Sequence, residues 1–191
     1  MRWFERGNGL WRNPKAGYLY WWQSANMLSA ISDLAMLNPD VKASYSYVWD
    51  DVYRNAPKNN PMPVKVKRSD GTWGKNYTFP SPLEVKRGRS KRAEVGFRGR
   101  FYDDEGWWGL AFVAALDVTG RREYLDEAIG IWYDMKDGWN KHHCGGIPWN
   151  KDDGQAPVPI ANGQYLHILK QPLNEANLGL RTVYPTGCSI V

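Results

Sequence analysis

Three pairs of adjacent aspartates are the residues of this sequence best suited to acid–base chemistry. They lie at positions 50–51, 103–104 and 152–153. The first pair falls within a predicted helix, opposite its apolar stripe, and the third precedes Gly154 in a polar turn, so solvated surfaces account for both. Asp103 and Asp104 differ, because they open a strongly apolar segment and have aromatic neighbours on both sides. This pair is therefore the candidate catalytic site.

Two interpretations of Asp103 and Asp104 are open on the residues alone. Acidic residues at the start of a helix can cap its free N–H groups and interact favourably with its dipole, and a cap contributes about 0.5–2 kcal/mol. Alternatively, carboxyl groups on neighbouring residues can lie about 5–5.5 Å apart, the separation found in retaining glycosidases. Two acids so close cannot both ionise freely, so one pKa should rise and supply a proton donor. The flanking aromatic rings would offer flat surfaces to sugars.

Other kinds of site have weaker support in the sequence. His142, His143 and Cys144 are consecutive, but no second cluster supplies the remaining ligands of a zinc site, so we expect no metal centre. The chain has no glycine-rich phosphate-binding loop and no nucleophile elbow. The 2 cysteines can form at most one disulfide, and we expect Cys144 and Cys188 to remain unpaired.

Apolar residues recur at helical spacing in five segments, which must position the candidate residues. These segments are 21–37, 39–56, 103–118, 121–140 and, more weakly, 160–169. The segment that begins at Asp103 is apolar all round, which predicts burial on every side. In the next segment, Glu127 is expected on the exposed face. Short joints between the segments favour a helical toroid or bundle.

The basic excess of the chain is concentrated between Lys58 and Arg100. That segment has 12 Lys and Arg residues against 3 acidic ones, whereas the whole chain has a net charge of +5. Its prolines exclude a continuous helix, and Val64 and Val66 alternate with lysines before the turn signal Asp70–Gly71. We expect a long basic surface loop with a short hairpin. A polyanion-binding site is the alternative, but few aromatic residues interleave with the charges, so no nucleic-acid partner is expected.

Length and composition exclude several classes of protein. A chain of 191 residues predicts one domain that can bury a core. No run of about 18 apolar residues occurs, which excludes a membrane-spanning helix. The 24% of charged residues and 11 tryptophans argue against a disordered chain. Residues 1–6 lack the apolar segment of a secretory signal, so no signal peptide is expected.

Four stretches of the sequence resemble a known family. Residues 101–111 read Phe-Tyr-Asp-Asp-Glu-Gly-Trp-Trp-Gly-Leu-Ala, which looks like the active-site segment of glycoside hydrolase family 76, the endo-α-1,6-mannanases. Residues 21–26 resemble the family's Trp-Trp-x-x-Ala-Asn helix start. Residues 134–149 resemble its Gly-Trp and Cys-Gly-Gly segment with a following Trp, and residues 160–166 resemble the next helix. The match covers about residues 3–57 and 101–168.

The resemblance implies an all-α fold, the (α/α)6 toroid of the six-hairpin glycosidases. It implies retaining hydrolysis of α-1,6-mannan or manno-oligosaccharides, or a related transglycosylation in the cell wall, with no metal or organic cofactor. Asp103 would be the nucleophile and Asp104 the general acid/base. The groups expected to line the cleft are Trp22, Asn26, Tyr102, Trp107, Trp149 and Asn162. A secreted or cell-wall location follows from the same resemblance.

The chain is short for such a toroid. Twelve helices with their loops need more than about 300 residues, so we expect about the first half of the fold: a partial domain over 1–170 with the basic insertion at 58–100. An irregular tail is expected over 171–191, because Pro172 and later breakers leave no apolar stripe. Helix faces that lack neighbours would allow self-association. A non-catalytic fragment that binds mannan is the alternative to an enzyme.

Overall fold

The computed structural model describes residues 2–61, 65–67, 73–75, 96–139, 145–151 and 156–175. Its helices are α1 (Trp22–Leu37), α2 (Pro39–Ser44), α3 (Tyr47–Asn55), α4 (Tyr102–Thr119), α5 (Arg122–Trp139) and α6 (Pro159–Glu175). Two short antiparallel pairs join β1 (Phe4–Glu5) to β2 (Leu10–Trp11) and β3 (Lys65–Lys67) to β4 (Trp73–Lys75). A 3₁₀ turn covers Ala56–Asn59. The described chain is mainly helical, as predicted, and no helix in it is long and apolar enough to cross a bilayer.

Helix α4 lies at the centre of the fold. It packs against α1, α5 and α6, and apolar residues around its whole circumference are buried in these contacts. The α6 contact is close, since a Cβ atom added at Gly109 would lie 2.4 Å from Ile168 Cδ1. Gly120 ends α4 in the left-handed conformation, with φ 67°. The predicted helix buried on every side is confirmed.

Aromatic side chains form the inner part of the core. The Phe97 ring lies 6.1 Å from Trp21, 4.8 Å from Trp108 and 4.6 Å from Phe112, measured between ring centroids. Phe112 in turn stacks on Tyr124 at 6.0 Å with an interplanar angle of 12°. Such ring pairs contribute about 0.5–1.5 kcal/mol beyond the area that they bury. Packing therefore accounts for much of the aromatic content.

The second predicted helix is interrupted. Instead of one helix over 39–56, the chain forms α2 and α3, and Tyr45 leaves the helical region at φ −117° and ψ 17°. The interruption redirects the chain so that α3 buries Val48, Trp49 and Val52, whereas α2 buries no side chain. The apolar stripe continues across the break, which is why the sequence predicted a single helix.

A hairpin that the sequence did not predict precedes α1. Its turn joins β1 to β2, and Gly7 and Gly9 both have positive φ angles there. The backbone N–H of Gly7 donates to both carboxylate oxygens of Asp51, at 3.0 and 2.9 Å. A Cβ atom at Gly9 would lie 2.5 Å from the Asp51 carbonyl oxygen, so only glycine fits. Asp51, expected on a solvated helix face, therefore anchors this hairpin to α3.

The remaining predictions concern the basic segment and the tail. The β3–β4 pair, in which Val66 lies opposite Gly74, confirms the predicted hairpin, whereas the basic cluster 86–92 lies outside the described residues. The tail was expected to be irregular from residue 171, but α6 continues through Pro172 to Glu175. A proline removes one N–H donor from a helix. The turn before it is held in place, since Ile168 and Leu169 are buried in the core.

Candidate active site

Asp103 and Asp104 lie side by side in the first turn of α4. The helix begins at Tyr102, and the preceding residue, Phe101, makes no side-chain cap. Asp103 Oδ1 accepts a hydrogen bond from the backbone N–H of Asp104 at 3.0 Å. Both aspartates are half-buried near the positive end of the helix dipole, but neither occupies the capping position. Capping alone therefore does not explain the pair.

A short extended segment, residues 149–151, lies against the start of α4. The backbone N–H of Tyr102 donates to the Trp149 carbonyl at 2.9 Å, and the N–H of Lys151 donates to the Arg100 carbonyl at 3.0 Å. Trp149 Nε1 donates to Asp103 Oδ2 at 3.1 Å. The Trp149 side chain is 48% exposed and lies 4.8 Å from the Phe101 ring. The structure thus brings Trp149 and Asp103, both predicted as site residues, into direct contact.

The two aspartates differ in acidity. Burial raises the pKa of Asp104 to about 6, and the negative charge of Asp103 adds to the increase. Burial also raises the pKa of Asp103, but hydrogen bonds from Trp149 and from backbone N–H groups oppose this increase. Such donors favour the charged carboxylate. Near neutral pH, Asp104 is therefore the better proton donor of the pair and Asp103 the better anion.

Beneath the pair, Glu105 and Asp134 share the ammonium of Lys151, a half-buried residue that the sequence did not predict as part of the site. Glu105 is fully buried on α4 and Asp134 is 8% exposed on α5. Lys151 Nζ donates to Glu105 Oε2 at 2.8 Å and also to the Asp134 carboxylate. Burial raises the pKa of Glu105 well above its usual range, and the charge of Asp134 adds to this. Burial opposes the ionisation of Asp134 as well, but Lys151 and Arg98 hold its pKa below the usual value.

Arg98 and Glu127 extend this buried network. The Arg98 side chain is 1% exposed, its Nη1 lies 4.0 Å from Glu127 Oε1, and its Nε donates to the Gly130 carbonyl at 3.3 Å. The prediction that Glu127 faces solvent was wrong, since it is 8% exposed. Glu127, Gly130 and Asp134 recur at helical spacing on one face of α5. That mixed stripe of acids and glycine is the signal that could have revealed the network.

The aromatic residues expected in the cleft fall into two groups. Trp22 is 41% exposed, and Trp107 is half-buried one helical turn after Asp103, so both join Trp149 as accessible rings. Tyr102 is 2% exposed, so the prediction that it lines a cleft was wrong. Its ring packs so closely on α5 that a Cβ atom at Gly138 would lie 2.6 Å from its Cζ atom.

The two asparagines expected in the cleft differ in setting. Asn162 Oδ1 accepts from the backbone N–H of Ile147 at 3.0 Å. Its Nδ2 donates to the carbonyls of Ile147 at 3.0 Å and Val158 at 2.8 Å. These bonds hold the segment before Trp149 against α6, so Asn162 supports the site instead of facing a ligand. Asn26 is half-buried on α1, and its role in the cleft stays a prediction.

No group of three His, Cys, Asp or Glu side chains is placed to hold a metal within the described ranges. Glu105 and Asp134 approach one another, but the Lys151 ammonium already lies between them. His142, His143, both cysteines and Asp152–Asp153 lie outside the described residues.

Comparison with models of known protein families gives a match over part of the chain. The aspartate pair, Trp149 and the buried network all lie within residues 83–168, and this stretch matches the model described as Glycosyl hydrolase family 76. The match to glycoside hydrolase family 76 covers somewhat less than half of the chain. The resemblance read from its motifs is thereby confirmed, although the matched stretch excludes α1 and the N-terminal hairpin. No curated protein sequence shows a significant match to the chain.

Solved structures of family 76 proteins share the fold. An α-1,6-mannanase from Salegentibacter sp. HEL1_6 is 20% identical, with a TM-score of 0.56, and the match covers 91% of this chain and 44% of that chain. An inactive variant of that mannanase, in which two consecutive aspartates are replaced by asparagine, was solved in complex with α-1,6-mannotriose. It is 17% identical, with a TM-score of 0.56, and the match covers 91% of this chain and 44% of that chain. A family 76 mannosidase from Bacteroides thetaiotaomicron VPI-5482 is 21% identical, with a TM-score of 0.61 and coverage of 90% and 44%.

These likenesses concern the fold alone. The chain has the fold of part of the family 76 helical toroid and spans less than half the length of the structures that it matches. The prediction of a partial (α/α)6 toroid is confirmed.

Proposed function

We propose that this chain carries the catalytic pair of an enzyme that hydrolyses α-1,6-mannosidic bonds with retention of configuration. Asp103 attacks the anomeric carbon while Asp104 gives its proton to the oxygen of the departing sugar, which leaves a covalent mannosyl ester on Asp103. Asp104, now a carboxylate, then takes a proton from water. That water attacks the same carbon and releases Asp103.

The difference in acidity between the aspartates is the observation that carries these roles. A general acid must hold its proton near the working pH, and burial beside Asp103 raises the pKa of Asp104 to about 6. A nucleophile must be ionised, and Trp149 Nε1 donates to Asp103 at 3.1 Å, which favours its anionic form. If Asp104 were the nucleophile instead, the anion would lie at the aspartate whose pKa burial raises more.

The choice of substrate rests on the family and on its solved members. A mannanase of this fold is inactive when two consecutive aspartates are changed and was solved with α-1,6-mannotriose. Asp103 and Asp104 are a consecutive pair within the family-matched stretch. The exposed rings of Trp22 and Trp149 are suited to stacking on sugar rings. A polymeric mannan substrate would fit a secreted or cell-wall location.

Release of reducing ends from linear α-1,6-mannan tests this proposal. Asp103→Asn should lower turnover by at least about a thousand-fold, because a neutral amide cannot form the ester intermediate. Asp126→Asn, a change on the surface of α5, is the matched control and should retain turnover. Products should appear first as the α-anomer by NMR, and longer oligosaccharides would indicate transfer to sugar instead of water. Undiminished turnover in Asp103→Asn would contradict the proposal.

A mannan-binding fragment is the second candidate function. The chain spans 44% of a structural relative, and the Trp149 ring is 48% exposed beside Asp103, where a sugar could stack on it. Saturable quenching of tryptophan fluorescence by α-1,6-mannotriose, without product, would favour binding alone. The Trp149→Phe variant should then lose most of the quenching.

A further inference from the structure

We propose that Lys151 is a positioning residue for the aspartate pair: its buried ammonium fastens the segment 149–151 to α4 and α5 and so holds the Trp149 indole N–H on Asp103. The catalytic consequence rests on the proposed function. The effect of Lys151 on the hydrogen bond between Trp149 and Asp103 does not rest on the proposed function, and it can be measured without any turnover.

The Trp149 side chain has little packing of its own to keep it in place. It is 48% exposed, and the ring contact described for it is with Phe101, at 4.8 Å. The direction of its indole N–H is therefore set by the backbone of residues 149–151. That backbone is held by hydrogen bonds at both ends, from Tyr102 N–H to the Trp149 carbonyl and from Lys151 N–H to the Arg100 carbonyl, at 2.9 and 3.0 Å.

The Lys151 side chain adds an anchor that the backbone bonds lack. Its ammonium reaches past the segment to Glu105 Oε2 on α4, at 2.8 Å, and to the Asp134 carboxylate on α5. It also lies 5.0 Å from the centroid of the buried Tyr102 ring. One cation thus contacts three side chains on two helices, two residues after Trp149. If the ammonium moved away, the buried charge of Asp134 would lose one of its partners. Because an uncompensated buried charge is costly in free energy, the ammonium is held in place.

Charges in the network suggest how to remove Lys151 without disrupting the core. Among the described residues, the buried network contains two cations, Arg98 and Lys151. It also contains the carboxyl groups of Glu105, Glu127 and Asp134. The double variant Lys151→Met/Asp134→Asn removes one positive and one negative charge, and methionine keeps much of the lysine volume. The new amide at position 134 can also donate to Glu105.

Two-dimensional NMR of the full chain, labelled with ¹⁵N in its 11 tryptophans, tests the proposal. The Trp149 indole resonance is assigned by its disappearance in Trp149→Phe. In the unmodified chain this resonance should shift with pH, because the indole N–H donates to Asp103. Ionisation of the adjacent Asp104 should add a second step. In Lys151→Met/Asp134→Asn the pH-dependent shift should fall by at least half, and the resonance should move toward the position of a freely exposed indole.

A cooperative thermal melt shows that each variant folds. An unchanged Trp149 titration in a folded Lys151→Met/Asp134→Asn variant overturns the proposal. If that variant does not melt cooperatively, the single variant Asp134→Asn decides. Of the two carboxyl partners described for the ammonium, Glu105 then remains, and a smaller shift in the same direction is expected. An unchanged resonance in Asp134→Asn also overturns the proposal.

The matched control removes a charge pair elsewhere. Arg121 and Asp50 form an ion pair between the start of α5 and α3, away from the site. Arg121→Met/Asp50→Asn should leave the pH titration of the Trp149 indole resonance unchanged. A smaller titration shift in this control would show that removal of any charge pair disturbs the indole. That result would also contradict the role proposed for Lys151. Failure of the proposed function would appear separately, as undiminished turnover in Asp103→Asn.

Discussion

At the scale of single residues, the chemistry of the site depends on what surrounds two identical side chains. Asp103 and Asp104 are adjacent, yet Asp103 accepts hydrogen bonds from Trp149 and from the backbone, whereas burial and the charge of its neighbour dominate at Asp104. Hydrogen-bond donors stabilise the anion and desolvation stabilises the neutral acid. Adjacent carboxyl groups can therefore take different roles in one reaction.

Trp149→Phe should shift the acidic limb of the kcat/KM profile to higher pH. The indole N–H opposes the rise in the pKa of Asp103 that burial causes, so its loss should leave Asp103 protonated over a wider range of pH. An unchanged acidic limb would show that this hydrogen bond does not set the ionisation of Asp103. Trp22→Phe is the control, since it alters an exposed ring and should change KM without moving the limb.

Asp104→Asn should stabilise the folded chain at neutral pH. Burial raises the pKa of Asp104 to about 6, so the folded state resists an ionisation that the unfolded chain undergoes above about pH 4. The cost is absent at low pH, grows between about pH 4 and 6 and is complete above that range. After allowance for partial exposure, we expect a gain of about 1–2 kcal/mol at pH 7 and none at pH 4.

Urea unfolding at the two pH values measures this difference. Asp126→Asn is the control, because Asp126 pairs with Arg122 at the surface, and it should show no such gain. An equal gain from Asp104→Asn at both pH values would mean that ionisation is not its cause.

At the scale of elements, the sequence predicted those helices whose packing extends over many turns. Helices α1, α4 and α5 begin and end within one or two residues of the predicted positions, because 16 to 18 residues with a clear apolar pattern leave little ambiguity. The break at Tyr45 was missed because it depends on which neighbour α3 packs against. The β1–β2 hairpin was missed because its anchor, Asp51, lies far along the chain.

The candidate site was predictable to a similar degree. Asp103, Asp104 and Trp149 were visible as motifs, whereas Lys151 was not, because its partners are 46 and 17 residues away in the sequence. The burial of Tyr102 was also hidden, since it depends on the missing side chain at Gly138. Local patterns reveal side chains that act near one another in sequence and miss those that meet only after folding.

Gly138→Ala should destabilise the contact between α4 and α5. The added Cβ atom would lie 2.6 Å from Tyr102 Cζ and 2.7 Å from its hydroxyl oxygen, and overpacking of this kind costs about 1–3 kcal/mol. Gly163→Ala is the matched control on α6. Nothing lies within 4 Å of its new Cβ atom, so the better helix propensity of alanine should stabilise by about 0.5–1 kcal/mol. Urea unfolding distinguishes the two, and a neutral Gly138→Ala would contradict the described packing.

At the scale of the whole molecule, the described residues leave apolar side chains in water. Leu34 and Leu37 lie one turn apart near the end of α1 and are 51% and 84% exposed. Ile160 and Leu166 on α6 are 44% and 45% exposed. In the structures that the chain matches, the matched part is less than half of the protein. Exposed apolar faces of this kind favour association.

We expect the chain to self-associate, and sedimentation velocity over a tenfold range of concentration measures this. Leu34→Gln/Leu37→Gln should weaken the association without loss of stability, because both side chains are already exposed. Arg122→Gln/Asp126→Asn, which alters a surface ion pair, is the control and should leave it unchanged. A single monomeric species of the unmodified chain at every concentration would show the prediction to be wrong.

The buried network also has a temporal order, because a ribosome makes its members one after another. Arg98 and Glu105 come first, and Lys151 follows Glu105 by 46 residues, which is several seconds of synthesis at about 5–20 residues per second. The raised pKa of Glu105 means that this side chain can enter the nascent core as a neutral acid, before its lysine exists. Arg98, the second cation that lowers the pKa of Asp134, is made before Asp134, whereas Lys151 is made after it. We therefore expect the helices to close first and the Trp149 segment to dock last.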